Sequence, residues 1–165
     1  MPVIRARRLR SDEEIIVVGG TFDLLHKGHK TLLTTAFEQK GFVIIGLTTD
    51  QFAKKLHKQH EVESYSHRSV TLRRFLRERG WYKRAEIIPL DNPYGIATTT
   101  EPISSIVVSE ETRKRAEEIN NIRKQLGLPP LKIITVKMVL AEDGRPISTT
   151  RIRKGERTPD GKLLR

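Results

Sequence analysis

No cysteine occurs in the 165 residues of this chain, so disulfides and thiolate chemistry are both excluded. Aromatic side chains are scarce, at three Tyr, one Trp and five Phe, too few for the stacking platforms that single-stranded nucleic-acid binders build. No apolar run approaches the length of a membrane span, and no signal-peptide apolar core follows the start. A cytoplasmic protein with no membrane partner is expected. A phosphate-binding Walker loop is missing too, since no Gly-Lys-Ser/Thr occurs.

Negative charge is the other shortfall. Lys and Arg number 31 against 20 Asp and Glu, a formal net charge of +11. Such a chain attracts polyanions, which keeps nucleic acids, acidic lipids and phosphorylated metabolites in view. The basic residues gather at Arg5, Arg7, Arg8 and Arg10, at Arg73, Arg74, Arg77 and Arg79, and at Arg151, Arg153 and Lys154. Clusters of this kind also serve simply as solvated faces. The length suits a single domain over 1–165, with a basic N-terminal segment (1–13) and a polar tail (154–165) at its periphery.

Five short apolar runs, at 15–18, 42–47, 87–90, 105–108 and 131–136, alternate with helical patterns. Continuous apolar runs suit strands covered on both faces. Helices are expected at 29–39, at 69–79 with Leu72, Phe75 and Leu76 inward, and after Ser109 as N-cap. The last would present Ala116, Ile119, Ile122 and Leu126 on one face and stop at Gly127. Repeated β-α units predict an α/β, Rossmann-like, doubly wound sheet of five parallel strands.

The first strand runs into Gly19-Gly20-Thr21-Phe22-Asp23-Leu24-Leu25-His26-Lys27-Gly28-His29. Glycines let the backbone approach a ligand closely, and Gly28 stands at the mouth of a helix, where backbone N–H groups favour an anion. His26 and His29, three apart, share one face of that helix and reach a common phosphate. No third or fourth ligand stands at a suitable spacing, so no protein-held metal is expected. His57 and His60 repeat the spacing within a Lys-rich stretch and read as solvated side chains. Near the far end, Gly144-Arg145-Pro146-Ile147-Ser148-Thr149-Thr150-Arg151-Ile152-Arg153 supplies hydroxyls and a guanidinium for phosphate oxygens.

Together, Gly-Thr-Phe-Asp-x-x-His-x-Gly-His and Ile-Ser-Thr-Thr-x-x-Arg resemble the HxGH nucleotidyltransferase superfamily. The middle of the chain resembles the archaeal and eukaryotic type of phosphopantetheine adenylyltransferase. That likeness rests on Asp91-Asn92-Pro93-Tyr94-Gly95, on Ile106-Val107-Val108-Ser109-Glu110-Glu111-Thr112, and on Ile119-Asn120 with Arg123. It implies transfer of AMP from ATP to 4′-phosphopantetheine, giving dephospho-coenzyme A and pyrophosphate. The rival is a cytidylyltransferase for a phospho-alcohol such as glycerol 3-phosphate, whose usual Arg-Thr-x-Gly before Ile-Ser-Thr-Thr is replaced here by Arg145-Pro146. A basic nucleic-acid-binding domain without catalysis is a second alternative, against which intact His26, His29, Lys54, Thr149 and Arg153 argue.

By that resemblance His29 and Lys54 are catalytic, with Lys54 bridging the reacting phosphates and Lys55 and Lys58 close enough in sequence to confuse the assignment. Gly20, Thr21, Phe22, His26, Gly28, His29, Ser109, Asn120, Ser148, Thr149, Thr150 and Arg153 hold the nucleotide. Mg²⁺ is implied as a companion of ATP, held mainly through substrate phosphates. The loop 91–95 is placed for a long acceptor.

Overall fold

The computed structural model describes residues 13–57, 61–100 and 102–137. Five strands form one wholly parallel sheet: β1 (Ile15–Gly20), β2 (Phe42–Thr48), β3 (Ala85–Leu90), β4 (Ser105–Ser109) and β5 (Lys132–Val136). Their order is β3-β2-β1-β4-β5. Ile15 pairs with Phe42 on one side of β1, and Ile16 with Ser105 on the other. The chain therefore winds outward from β1 in one direction and then restarts beside it in the other. At that reversal, between β1 and β4, the connections leave in opposite directions and open a crevice at the C-terminal ends of the strands.

Alternate side chains of β1 and β2 enter two different cores, as the two-residue period of a strand requires. Ile16, Val18, Val43, Ile45 and Leu47 pack with Leu33, Ala36, Phe37, Leu72 and Leu76, from helices α1 (Lys27–Glu38) and α3 (Tyr65–Glu78). Ile15, Val17, Phe42 and Ile44 pack instead with Ile96, Ile103, Ala116 and Ile119, from the 3-10 turn Gly95–Thr98, the following loop and helix α4 (Arg113–Gln125). Both faces are covered, and β2 is buried along its whole length. Hydrophobic burial of this kind, at roughly 25 cal/mol per Å² of apolar surface, is the main force holding the layers together.

The five strands agree with the sequence expectation within two residues at each end, and the helices need three corrections. Helix α3 starts at Tyr65, four residues before the expected Ser69, because the Ser64 side chain caps it by accepting from the His67 N–H. Its first turn carries Arg68 inward, so apolar periodicity gives no sign of it. Helix α4 starts after Thr112, not Ser109. The Ser109 carbonyl accepts from the Thr112 N–H and the Thr112 hydroxyl accepts from the Ser109 N–H, a closed turn that leaves Glu110 and Glu111 outside the helix. Its inner face ends on Arg123 rather than Leu126, which is 60% exposed. Between β2 and α3 lies a further helix, α2 (Asp50–Leu56), capped by the Thr49 hydroxyl.

Candidate functional site

A cleft of about 510 Å³ opens where the strand ends meet. Its lining includes Gly19 and Gly20 of β1, Gly46 and Thr48 of β2, Leu90 of β3, Ser109 of β4 and Val136 of β5. The loop from β1 to α1 forms one wall. Phe22 and Leu24 take left-handed backbone angles, φ 51° and 58°, on either side of Asp23. This turns the Asp23 carboxylate inward, where it accepts from the Glu63 N–H at 3.1 Å.

His26 is the N-cap of α1. Its Nδ1 accepts from the backbone N–H of Gly28 at 3.1 Å and of His29 at 3.4 Å, while the His29 Nδ1 accepts from the His26 N–H at 3.2 Å. Each ring thus uses Nδ1 as an acceptor, which places its one hydrogen on Nε2. The rings stack with centroids 3.7 Å apart and planes 18° from parallel. Gly28 is required beside them: a Cβ at that position would lie 2.9 Å from the His26 ring.

Burial, partly opposed by the Asp23 carboxylate, lowers the pKa of His26 from 6.5 to about 4. Burial also holds His29 well below its usual value, reinforced by His26 and His57. Two stacked imidazoles at this distance do not share the cost of two protons. At neutral pH the site therefore offers uncharged Nε2–H donors in place of imidazolium ions.

The linkage has a definite sign. Between pH 6.5 and about 4 the unfolded chain takes a proton at position 26 that the folded chain refuses. The stability that neutral His26 contributes is complete above pH 6.5 and is lost as pH falls toward 4, by about 3 kcal/mol in all. Urea unfolding at pH 7.5 and 4.5 measures this. A His26→Asn variant, which keeps a side-chain acceptor for the cap but no titrating group, is expected to lose visibly less than the native chain. Equal losses in the two proteins would contradict the assignment.

Of the residues singled out from the sequence, Gly20, Thr21, His26, Gly28, His29 and Ser109 line the cleft. Phe22 does not; it is buried, with its ring edge-on to His29 at 5.3 Å, so it supports that imidazole from behind. Asn120 is committed elsewhere. Its amide donates to the Leu131 carbonyl at 2.9 Å and accepts from the Leu131 N–H at 2.7 Å, tying α4 to the approach to β5. Lys54 and Lys55 are exposed on α2 and are not among the residues that line the cleft, although Leu56 and His57 just beyond them are. Lys58, His60, Ser148, Thr149, Thr150 and Arg153 lie outside the described residues.

Sequence reasoning missed three participants. His57, expected in solvent, lines the cleft and sits 2.8 Å from the Thr21 hydroxyl. Arg68 is fully buried: it donates to the carbonyls of Glu63 at 2.7 Å and Thr21 at 2.9 Å and to the Thr48 hydroxyl at 3.2 Å, and pairs with Asp50 at 3.3 Å. It thereby pins the glycine-rich loop to the end of β2 and to α2. Arg115 of α4 also lines the cleft, as do Pro93, Tyr94 and Gly95 of the loop after β3. That loop is braced by the Asn92 side-chain Oδ1, which accepts from the backbone N–H groups of Tyr94 at 3.0 Å and Gly95 at 2.8 Å. Among the described residues, no group of three or more His, Asp or Glu could hold a metal ion, and no helix is long and apolar enough to cross a membrane.

The sequence profile of the cytidylyltransferase-like family matches residues 17–155. The phosphopantetheine adenylyltransferase of Methanopyrus kandleri is 46% identical over 138 residues, 84% of this chain and 87% of that protein. Its counterpart from Methanothermobacter thermautotrophicus is 45% identical over 151 residues, 92% and 90% of the two chains. Among solved structures, a protein of unknown function from Archaeoglobus fulgidus superposes with a TM-score of 0.67 at 31% identity, covering 75% of this chain and 98% of that one.

Proposed function

We propose, from the premise that this chain belongs to the cytidylyltransferase-like family and within it to the phosphopantetheine adenylyltransferases, that it transfers AMP from ATP to 4′-phosphopantetheine, releasing dephospho-coenzyme A and pyrophosphate. The observation that carries the reading is the pair of Nε2–H imidazoles at the N-terminus of α1, facing a cleft at the crossover point of the sheet.

The acceptor phosphate is an anion at neutral pH, so it needs no general base. The difficulty is electrostatic: two anions must meet, and charge grows on the α-phosphate and on the departing pyrophosphate. Uncharged donors held by backbone bonds suit this, because their hydrogens are aimed before the substrate arrives and need no reorganisation. His29 donates to the α-phosphate as its charge grows. His26, Thr21 and the amides beside Gly20 and Gly28 hold the rest of the triphosphate. Ser109 faces the nucleotide from β4, and Ser148, Thr149, Thr150 and Arg153 are assigned to the phosphates by their motif. The loop 93–95 and Arg115 form the acceptor side.

The donor set of the cleft, imidazole, hydroxyl and backbone amide, suits phosphate better than Mg²⁺, and the buried Asp23 carboxylate already accepts from Glu63. Mg²⁺ would enter on the phosphate oxygens of ATP and draw charge from the leaving pyrophosphate. The cytoplasm, where ATP is made and used, is the expected location.

Pyrophosphate release across four pairs tests the reading: ATP or CTP with 4′-phosphopantetheine or glycerol 3-phosphate, with product mass as confirmation. Adenine and cytosine present different donors and acceptors, and the wrong base leaves buried polar groups unpaired. ATP with 4′-phosphopantetheine is expected to be the preferred pair, and a preference for CTP with glycerol 3-phosphate would overturn the branch while leaving the superfamily in place.

A further inference from the structure

His57 closes helix α2, its N–H bonded to the Ala53 carbonyl at 2.9 Å. Its side chain does not follow the other basic residues of that helix outward. The ring lies against the cleft, with Nε2 2.8 Å from the hydroxyl of Thr21, a residue 36 positions earlier in the chain. It is close enough to His29 to count among the charges acting on it. Three imidazoles from separate places, the cap of α1, its first turn and the end of α2, thus converge beside Thr21. Lys54, which by the family resemblance bridges the reacting phosphates, stands three residues before His57 and is exposed.

We propose that His57 is a third imidazole of the polyphosphate site, the group by which α2 takes hold of the nucleotide's phosphates. The proposal rests on the reading that this cleft receives ATP. Neutral imidazole and hydroxyl are both donor and acceptor, so the His57–Thr21 pair is ready to turn its hydrogens toward an anion: the ring donates to Thr21 Oγ1, and the freed hydroxyl hydrogen points into the cleft. With its one hydrogen spent on Oγ1, His57 reaches the phosphates through that hydroxyl. Arg68 fixes the other end of this unit by holding the Thr21 carbonyl at 2.9 Å, so the hydroxyl has a defined position to be paired in.

The test is calorimetric titration of inorganic tripolyphosphate into the native chain and into His57→Ala, His57→Gln and Lys55→Ala, with a thermal melt of each. His57→Ala is expected to weaken binding about tenfold, the scale of one hydrogen bond to a charged group. His57→Gln, whose side-chain amide offers an N–H at the distance of Nε2, is expected to return to within about threefold of native. Lys55→Ala controls for loss of a nearby surface cation and should change little. If the alanine variant melts early, His57→Leu, which fills the same space without a donor, takes its place. Unchanged binding in the donorless variant, an equal loss in Lys55→Ala, or no tripolyphosphate binding by the native chain overturns the proposal. Dephospho-coenzyme A formation is followed in parallel. Product formed with binding indifferent to His57 sinks the proposal alone; His57-dependent binding without product sinks the adenylyl-transfer reading alone.

Discussion

Replacing His29 by alanine is expected to lower turnover by roughly 10²–10³, the scale of one lost transition-state donor, while ATP affinity changes only a few-fold. The split follows from timing. On the proposed assignment the His29 Nε2–H matters most when charge gathers on the α-phosphate, whereas the ground-state phosphate contacts would be spread over the Gly28 region, Thr21 and His26. The same ring also has a structural duty, since its Nδ1 accepts from the His26 N–H and completes a reciprocal cap. Loss of such a cap costs about 1 kcal/mol. The two duties separate with His29→Asn, whose side-chain oxygen keeps the cap acceptor but whose short amide cannot reach the place of Nε2. Single-turnover rates and urea unfolding on both variants give the answer. Asn should recover stability and leave turnover low; turnover within about threefold of native in either variant would remove His29 from the chemistry.

The largest expected effect on stability belongs to Arg123→Ala. Arg123 is buried in α4 and donates to the carbonyls of Pro129 at 2.7 Å, Ala97 at 2.9 Å and Thr100 at 2.8 Å. Alanine leaves those acceptors without this donor in a region from which water is largely excluded and opens a cavity, which together cost about 3 kcal/mol. Ala97 lies on the cleft wall just after the loop 93–95, so the variant should also raise the KM for the acceptor more than that for ATP. Denaturant midpoints and initial rates would show both. A loss under about 1 kcal/mol would mean that the loop holds its shape without the guanidinium.

These residues show what a sequence discloses and what it hides. The five strands were legible because a parallel sheet covered on both faces demands unbroken apolar runs, and 42–47 and 105–108 supply them. The paired imidazoles were legible as well, since a glycine between two histidines at a helix start has few other uses. Helix α2 was not: its buried residues are only Phe52 and Ala53, too short a signal against the charged Asp50, Lys54 and Lys55. His57 was hidden for a related reason, because the direction of a side chain at a helix end depends on where the chain turns. Asn120 and Arg123 carried a true family likeness with a different meaning. Their polar ends bond to backbone groups around α4, so they preserve the shape of the fold, and neither lines the cleft.

The left-handed pair in the β1–α1 loop has a consequence for how this protein can change. A non-glycine residue at such angles costs roughly 1–2 kcal/mol, and Phe22 and Leu24 both adopt them. Glycine at 24 would relieve that tension, yet it would also release the corner that aims Asp23 inward and seats Phe22 behind His29. Durability and usefulness therefore pull in opposite directions at this one loop. A screen for thermal robustness alone would drift toward sequences that relax it, and would accumulate sturdy proteins with a poorly aimed pair of imidazoles. Keeping activity in the selection holds the loop taut, and sends improvements in robustness to the surface of the helices, where nothing is being aimed.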